Sequence, residues 1–168
     1  MMSDDAEIRR LGESELIEWK TIRRAALVEN PLSFGNTLAN FERQDDASHL
    51  ARPANGRVFG AFIAGRIVGS AAWNAQPYPT EAHRGLVTSV FVLPDHRGTE
   101  VARLLLERVV ADAAGTVAQL ELGVSTQEPR AVAFYEKMGF RIYGTLPRAL
   151  AHGETYIDEH LMIRLLDA

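Results

Sequence analysis

From Val92 to Arg103 the chain reads Val-Leu-Pro-Asp-His-Arg-Gly-Thr-Glu-Val-Ala-Arg. An apolar run ends at a proline, small and polar residues turn the chain, and a helical pattern begins. A helix start presents unpaired backbone N–H groups and the positive end of its dipole, a natural seat for a phosphate or diphosphate. Arg97 and Arg103 add positive charge around it. An ordinary strand-to-helix turn with solvated arginines has the same pattern, and this segment alone does not choose between them. Two other nucleotide loops are absent: there is no G-x-x-x-x-G-K-[ST] run and no G-x-G-x-x-G after a strand. A single residue for acid–base work does not stand out. Glu81, His83, Glu121 and His160 are isolated candidates, and no His/Asp/Glu cluster has ligand spacing, so no metal is implied.

The elements that must position these residues follow from turn signals and periodicity. Glu7 to Leu11 forms a short first strand. Ser14 caps a helix over 14–29, with Leu16, Trp19, Ile22 and Ala26 at helical spacing and Asn30-Pro31 as its stop. A short helix is expected around 37–50. Val58–Ile63 and Ile67–Trp73 read as a β-hairpin about Ala64-Gly65-Arg66, and Leu86–Leu93 as a third strong strand. A helix over 99–114 buries Val101, Leu104, Leu105, Val109 and Ala113. Its wet side carries the i,i+4 pairs Arg103/Glu107 and Arg108/Asp112. After a strand at 117–124, Pro129 opens a helix with Ala131, Phe134, Tyr135 and Met138 on one face, ended by Gly139. Strands at 140–146 and 155–165 finish a mixed α/β sheet flanked by helices.

Composition narrows the class. The 168 residues suit one domain, and a formal charge of −4 gives no general affinity for nucleic acid or anionic membrane. With 46% hydrophobic residues the chain can build a sizeable core. The absence of cysteine removes disulfides, thiolate metal sites and cysteine nucleophiles, and fits a reducing cytoplasm. Met1-Met2-Ser3-Asp4-Asp5 is polar, without the apolar core of a signal peptide, and no run reaches the roughly 18 apolar residues of a membrane span. These features lead us to expect a single cytoplasmic domain over 1–168.

The segment 128–140, Glu-Pro-Arg-Ala-Val-Ala-Phe-Tyr-Glu-Lys-Met-Gly-Phe, taken with 92–103, resembles the GNAT superfamily of acyl-CoA-dependent N-acyltransferases. That family's diphosphate loop, Q/R-x-x-G-x-G/A, is matched by Arg97, Glu100 and Ala102. Its later helix, N-x-x-A-x-x-x-Y-x-x-x-G-F, is matched by Glu128, Ala131, Tyr135, Gly139 and Phe140. Glu100 replaces the loop's first glycine, and Glu128 the asparagine.

The resemblance implies a mixed sheet of about six to seven strands with about four helices, and acetyl-CoA as co-substrate. It places pantetheine and the acetyl carbonyl on the backbone around Phe91 and Val92. It places the diphosphate at Gly98, Thr99, Glu100, Val101, Ala102 and Arg103 beside Arg97, with Glu128 and Phe134 completing the cofactor contacts. It makes Tyr135 the general acid for the leaving thiolate, a phenol with an ordinary pKa near 10. Helical spacing alone favours Tyr135 as part of the apolar stripe with Ala131 and Met138; the matching motif is what reverses that reading. The acceptor is a small-molecule or peptide amine, with residues 30–56 and 74–85 on its side of the site; a homodimer is among the assemblies the family admits. The competing readings are a catalytically silent acyl-CoA-binding domain, suggested by Glu100 and Glu128, and an α/β domain unrelated to coenzyme A.

Overall fold

Every strand expected from the sequence enters one sheet in the computed structural model, which describes residues 5–167. The first four residues of the acidic N-terminal stretch lie outside the described residues. The strands are β1 (Glu7–Arg10), β2 (Val58–Ile63), β3 (Arg66–Ala75), β4 (Arg84–Val92), β5 (Gln119–Ser125), β6 (Arg141–His152) and β7 (Thr155–Leu165), in the order β1-β2-β3-β4-β5-β7-β6. All neighbours are antiparallel except β4 and β5.

Helices cover both faces. The helix α1 (Leu16–Glu29) buries Trp19, Ile22 and Ala26 against Phe62, Ile67 and Phe91. On the opposite face α4 (Val101–Ala113) buries Val101, Leu105, Leu106 and Val109 against Phe59, Trp73 and Leu120. Tyr135, from α5 (Pro129–Lys137), joins that second cluster together with Phe140. Gly139, at φ +86°, ends α5 in the left-handed conformation that the sequence assigned to it.

Four local readings need correction. Ser14 does not cap α1: it lies within a short 3-10 turn, Glu13–Glu15, where its hydroxyl donates to the Glu15 carboxylate at 3.0 Å. The single helix expected around 37–50 is two, α2 (Leu38–Arg43) and α3 (Asp46–Leu50). Each has its own cap, Thr37 Oγ1 accepting from Asn40 N–H and Asp45 Oδ1 from Ser48 N–H, with Gln44 extended between them. The strand expected to end at 146 continues to His152. It tolerates Pro147 because β6 is an edge strand, where a missing N–H costs no ladder bond. Asp112 does not pair with Arg108. Its carboxylate accepts from buried Trp73 Nε1 at 2.9 Å and pairs with Arg10, while Arg108 lies 5.3 Å over the Phe59 ring. The ring bond wins because an indole N–H left without a partner in the core costs more than an exposed helix pair gains. The Arg103–Glu107 pair forms as expected.

Asp112→Ala strands that indole donor. We expect a loss of about 1–3 kcal/mol, measured by denaturant unfolding, whereas Arg10→Ala, which removes only the exposed partner, should cost well under half as much.

Candidate active site

The site originates in a parallel ladder that stops early. β4 and β5 pair only through Arg84, Gly85 and Leu86 with Gln119, Leu120 and Glu121. At this closed end a Cβ on Gly85 would lie 2.8 Å from Leu120, so glycine permits the close approach. Arg84 fixes the same end by gripping Glu121 at two points, 2.7 and 2.8 Å, and Gln119 adds a third bond at 2.6 Å. These bonds hold the Glu121 carboxyl below the usual carboxylate range. Glu121 is thereby committed to structure and is not a free base. Glu81 pairs with Arg84, and His160 Nδ1 is 3.1 Å from Thr145 Oγ1.

Beyond Leu86 the two strands part. The register of β3 against β4 slips between Ser70 and Ala72, and Ser89, at φ +58°, carries the extra residue. The buried Ser70 hydroxyl donates to the Ser89 carbonyl at 2.8 Å and holds the bulge. After it, Leu93 N–H donates to Val68 O, so Val92, one residue earlier, turns its main chain away from β3. There its carbonyl accepts from Arg97 Nε at 3.1 Å. Strand alternation gives the Val90 main chain the same orientation, toward the gap left by β5.

That gap opens into a cleft of about 540 Å³. The sequence candidates distribute unevenly around it. Tyr135 and Glu128 line it. Tyr135 is buried, and among the described residues its hydroxyl has no hydrogen-bond partner; burial raises its pKa above the ordinary tyrosine value. Glu128 occupies the cap position of α5 without making a capping bond. Phe91 is in the core under α1, and Phe134 packs beside Tyr135 at 5.3 Å between ring centres. From the 30–56 region Asn30, Ser33, Phe34, Gly35, Asn36 and Arg52 line the cleft, whereas the 74–85 loop does not reach it.

The turn at 97–103 lies at the end of β4, outside the cleft lining. Gly98 has φ +75° and open space where a Cβ would point, so a ligand can approach its backbone closely. The Glu100 side chain leaves the first turn of α4 uncapped, and Thr99 Oγ1 reaches Val101 N–H only at 3.4 Å. Donors for an anion are therefore present. Arg103 is not one of them: it donates to Glu107 at 2.8 and 2.9 Å and to Glu100 at 2.7 Å. Its i,i+3 and i,i+4 carboxylates are closer than any position over the turn. Val101 is buried in the core and Ala102 is half-buried, so beside its backbone groups the turn presents Thr99 and the exposed Glu100 carboxylate.

Two further features were missed from the sequence. Glu159 lines the cleft with no hydrogen bond or ion pair among the described residues, and burial raises its pKa. Its carboxylate takes the space over Gly123, where an added Cβ would come within 2.7 Å of Oε2. Arg23 and Arg52 also line the cleft. Only the small residue at 123 and the unusual arginine on the buried face of α1 were visible as signals.

Among the described residues no His/Cys/Asp/Glu group suits a metal ion, and no helix is long and apolar enough to cross a membrane. Comparison with known proteins agrees with the geometry. An uncharacterized N-acetyltransferase of Mycobacterium tuberculosis is 36% identical over 81 residues, 48% of this chain and 51% of that protein. The chain spans about half the length of such mycobacterial relatives. The N-terminal acetyltransferase B complex catalytic subunit of Arabidopsis thaliana is 27% identical over 154 residues, 90% of this chain and 82% of its own. Among solved structures, the ribosomal-protein-alanine N-acetyltransferase of Brucella melitensis has TM-score 0.81 at 27% identity, covering 95% of this chain and 99% of that one. A Salmonella typhimurium acetyltransferase solved with its cofactor acetyl-CoA has TM-score 0.83 at 19% identity, covering 98% and 95%. The acetyltransferase (GNAT) family model spans residues 19–140, from the buried face of α1 through the parted strands to Phe140, and the chain belongs to that family.

Proposed function

We propose that this protein transfers the acetyl group of acetyl-CoA to an amine by direct attack within the cleft. The observation that carries the reading is the parting of β4 and β5, which turns unpaired main-chain donors toward a buried phenol and a half-buried carboxylate. The fit to acetyl-CoA rests on the open backbone at Gly98, the uncapped first turn of α4 and the outward main chain at Val90 and Val92. Bound acetyl-CoA supplies an acetyl group activated as a thioester.

The chain supplies the rest. The Val90 and Val92 main chain orients the arm along β4 and offers N–H donors to the carbonyl oxygen, where charge builds as the amine attacks. Glu159 takes the proton the amine nitrogen loses as the N–C bond forms; its raised pKa brings it closer to neutral pH, where a base works best. Tyr135 holds its proton because burial opposes ionisation, and its unpartnered hydroxyl donates to the sulfur as the C–S bond breaks. The products are the N-acetylated amine and the free thiol. Arg97, already tied to the Val92 carbonyl through Nε, keeps its Nη atoms for phosphate.

Tyr135→Phe should lower kcat roughly 10²-fold with acetyl-CoA affinity nearly intact. In the parent, kcat/KM should rise with pH as Glu159 deprotonates, on a limb displaced above the ordinary carboxylate range; Glu159→Gln should lower the rate and abolish that limb. Steady-state thiol release across pH reads both. Wild-type rates in Tyr135→Phe, or an unmoved limb in Glu159→Gln, would remove those roles. Tight acetyl-CoA binding with no turnover on any amine would favour the silent binding domain.

Glu100 opposes the ligand in charge. At about 5 Å and an effective dielectric near 20, two like charges repel by roughly 3 kcal/mol, a ceiling that exposure and salt reduce. Glu100 also occupies Arg103. Glu100→Gly should therefore tighten acetyl-CoA binding severalfold by calorimetry, with the gain shrinking as salt rises. Weaker binding would show that Glu100 makes a favourable contact and that the diphosphate sits elsewhere.

A further inference from the structure

Arg23 projects from the buried face of α1, 9% exposed, against Trp19 and Phe34 at 5.7 and 5.1 Å from their ring centres. Its Nη1 is shielded from solvent and has no hydrogen-bond partner. Arg52, across the same wall, donates to the Thr88 hydroxyl at 2.6 Å, a neutral partner. Among the described residues neither arginine pairs with a carboxylate, and the positive charge of Arg52 acts on Arg23. Burial and the neighbouring Arg52 lower the Arg23 pKa to about 10. A buried and a half-buried guanidinium without a counter-ion are costly in a folded protein, and the cost is recovered when an anion arrives. A coenzyme A phosphate is not that anion by position, because the 97–103 turn where the phosphates fit lies outside this wall of the cleft. Glu128 and Glu159, also in the lining, suit the ammonium end of an amine before it loses its proton.

We infer that the acceptor is an amine that also carries a carboxylate, and that Arg23 and Arg52 seat the carboxylate while the nitrogen faces Glu159. The inference deepens the proposed acetyl transfer and rests on it for the second half of its test. The carboxylate can be that of a free amino acid or the acidic side chain of a peptide; the chemistry recognised is the same.

The test compares matched pairs by calorimetry without acetyl-CoA: L-amino acids against their amides, and short peptides with Asp against the same peptides with Asn. The carboxylate member of at least one pair should bind about tenfold or more tightly, and the pair that shows it identifies the source. Arg23→Met should erase the preference and raise the Tm of the empty protein, since an apolar side chain of similar size relieves the uncompensated charge. Arg52→Gln, which keeps a donor for Thr88, should reduce the preference with the fold retained. Equal binding of acid and amide, no binding of either, or a preference that survives both substitutions would overturn the inference. Thiol release on the same panel separates it from the parent reading. Carboxylate-dependent binding without turnover supports the anion seat and counts against acetyl transfer. Turnover of plain amines with no acid preference does the reverse.

Discussion

A seven-stranded sheet cannot separate two of its central strands without leaving main-chain donors and acceptors unpaired, and buried unpaired groups are costly. In this protein β4 and β5 separate after three residues of ladder, and the rest of the site depends on that break. The closed end is held by the Arg84–Glu121 grip and the fit of Gly85 against Leu120. The open end is held by the Ser89 bulge, itself tied to Ser70. Between them the Val92 carbonyl is met by Arg97. The same polar groups that make the break unfavourable in the empty protein are the ones the proposed function assigns to acetyl-CoA.

The walls of the cleft divide by charge. Carboxylates stand on the β7 and α5 side and arginines on the α1 side, and none of these four pairs with another protein charge among the described residues. Elsewhere charged side chains do find partners, as Arg103 does with Glu100 and Glu107. The contrast separates charges paired at the surface from charges left unpaired in the cleft lining. It also assigns Glu121 to scaffolding and Glu159 to the cleft, although both are glutamates on neighbouring strands.

Most of the framework was legible in the sequence because it rests on local patterns. Apolar spacing located α1, α4 and α5, and turn residues placed the hairpin and Gly139. Where a local pattern met a stronger distant partner, it misled: Asp112 left Arg108 for the Trp73 indole. For Arg103 the local pattern held, and its helix neighbours Glu100 and Glu107 took the charge expected at the turn. The β6 strand ran past Pro147 because edge position, which no local window shows, removes the penalty. Tyr135 stood in a recognisable motif, but Glu159 did not. Its meaning comes from Gly123 on the adjacent strand, which leaves room for the carboxylate, and from the parting of β4 and β5 two strands away. Arg23 falls among the apolar residues of the buried face of α1, but its lack of a partner shows only in the packed structure.

The central claim is that the main chain exposed by the parted strands is the surface that holds acetyl-CoA. Residue-resolved amide hydrogen exchange, followed by NMR with and without acetyl-CoA, tests it most directly. The Val90 and Val92 amides should exchange readily in the free protein and become strongly protected with ligand, while Leu93, already bonded to Val68, changes little. Protection that appears elsewhere while Val90 and Val92 stay as they were would contradict the account.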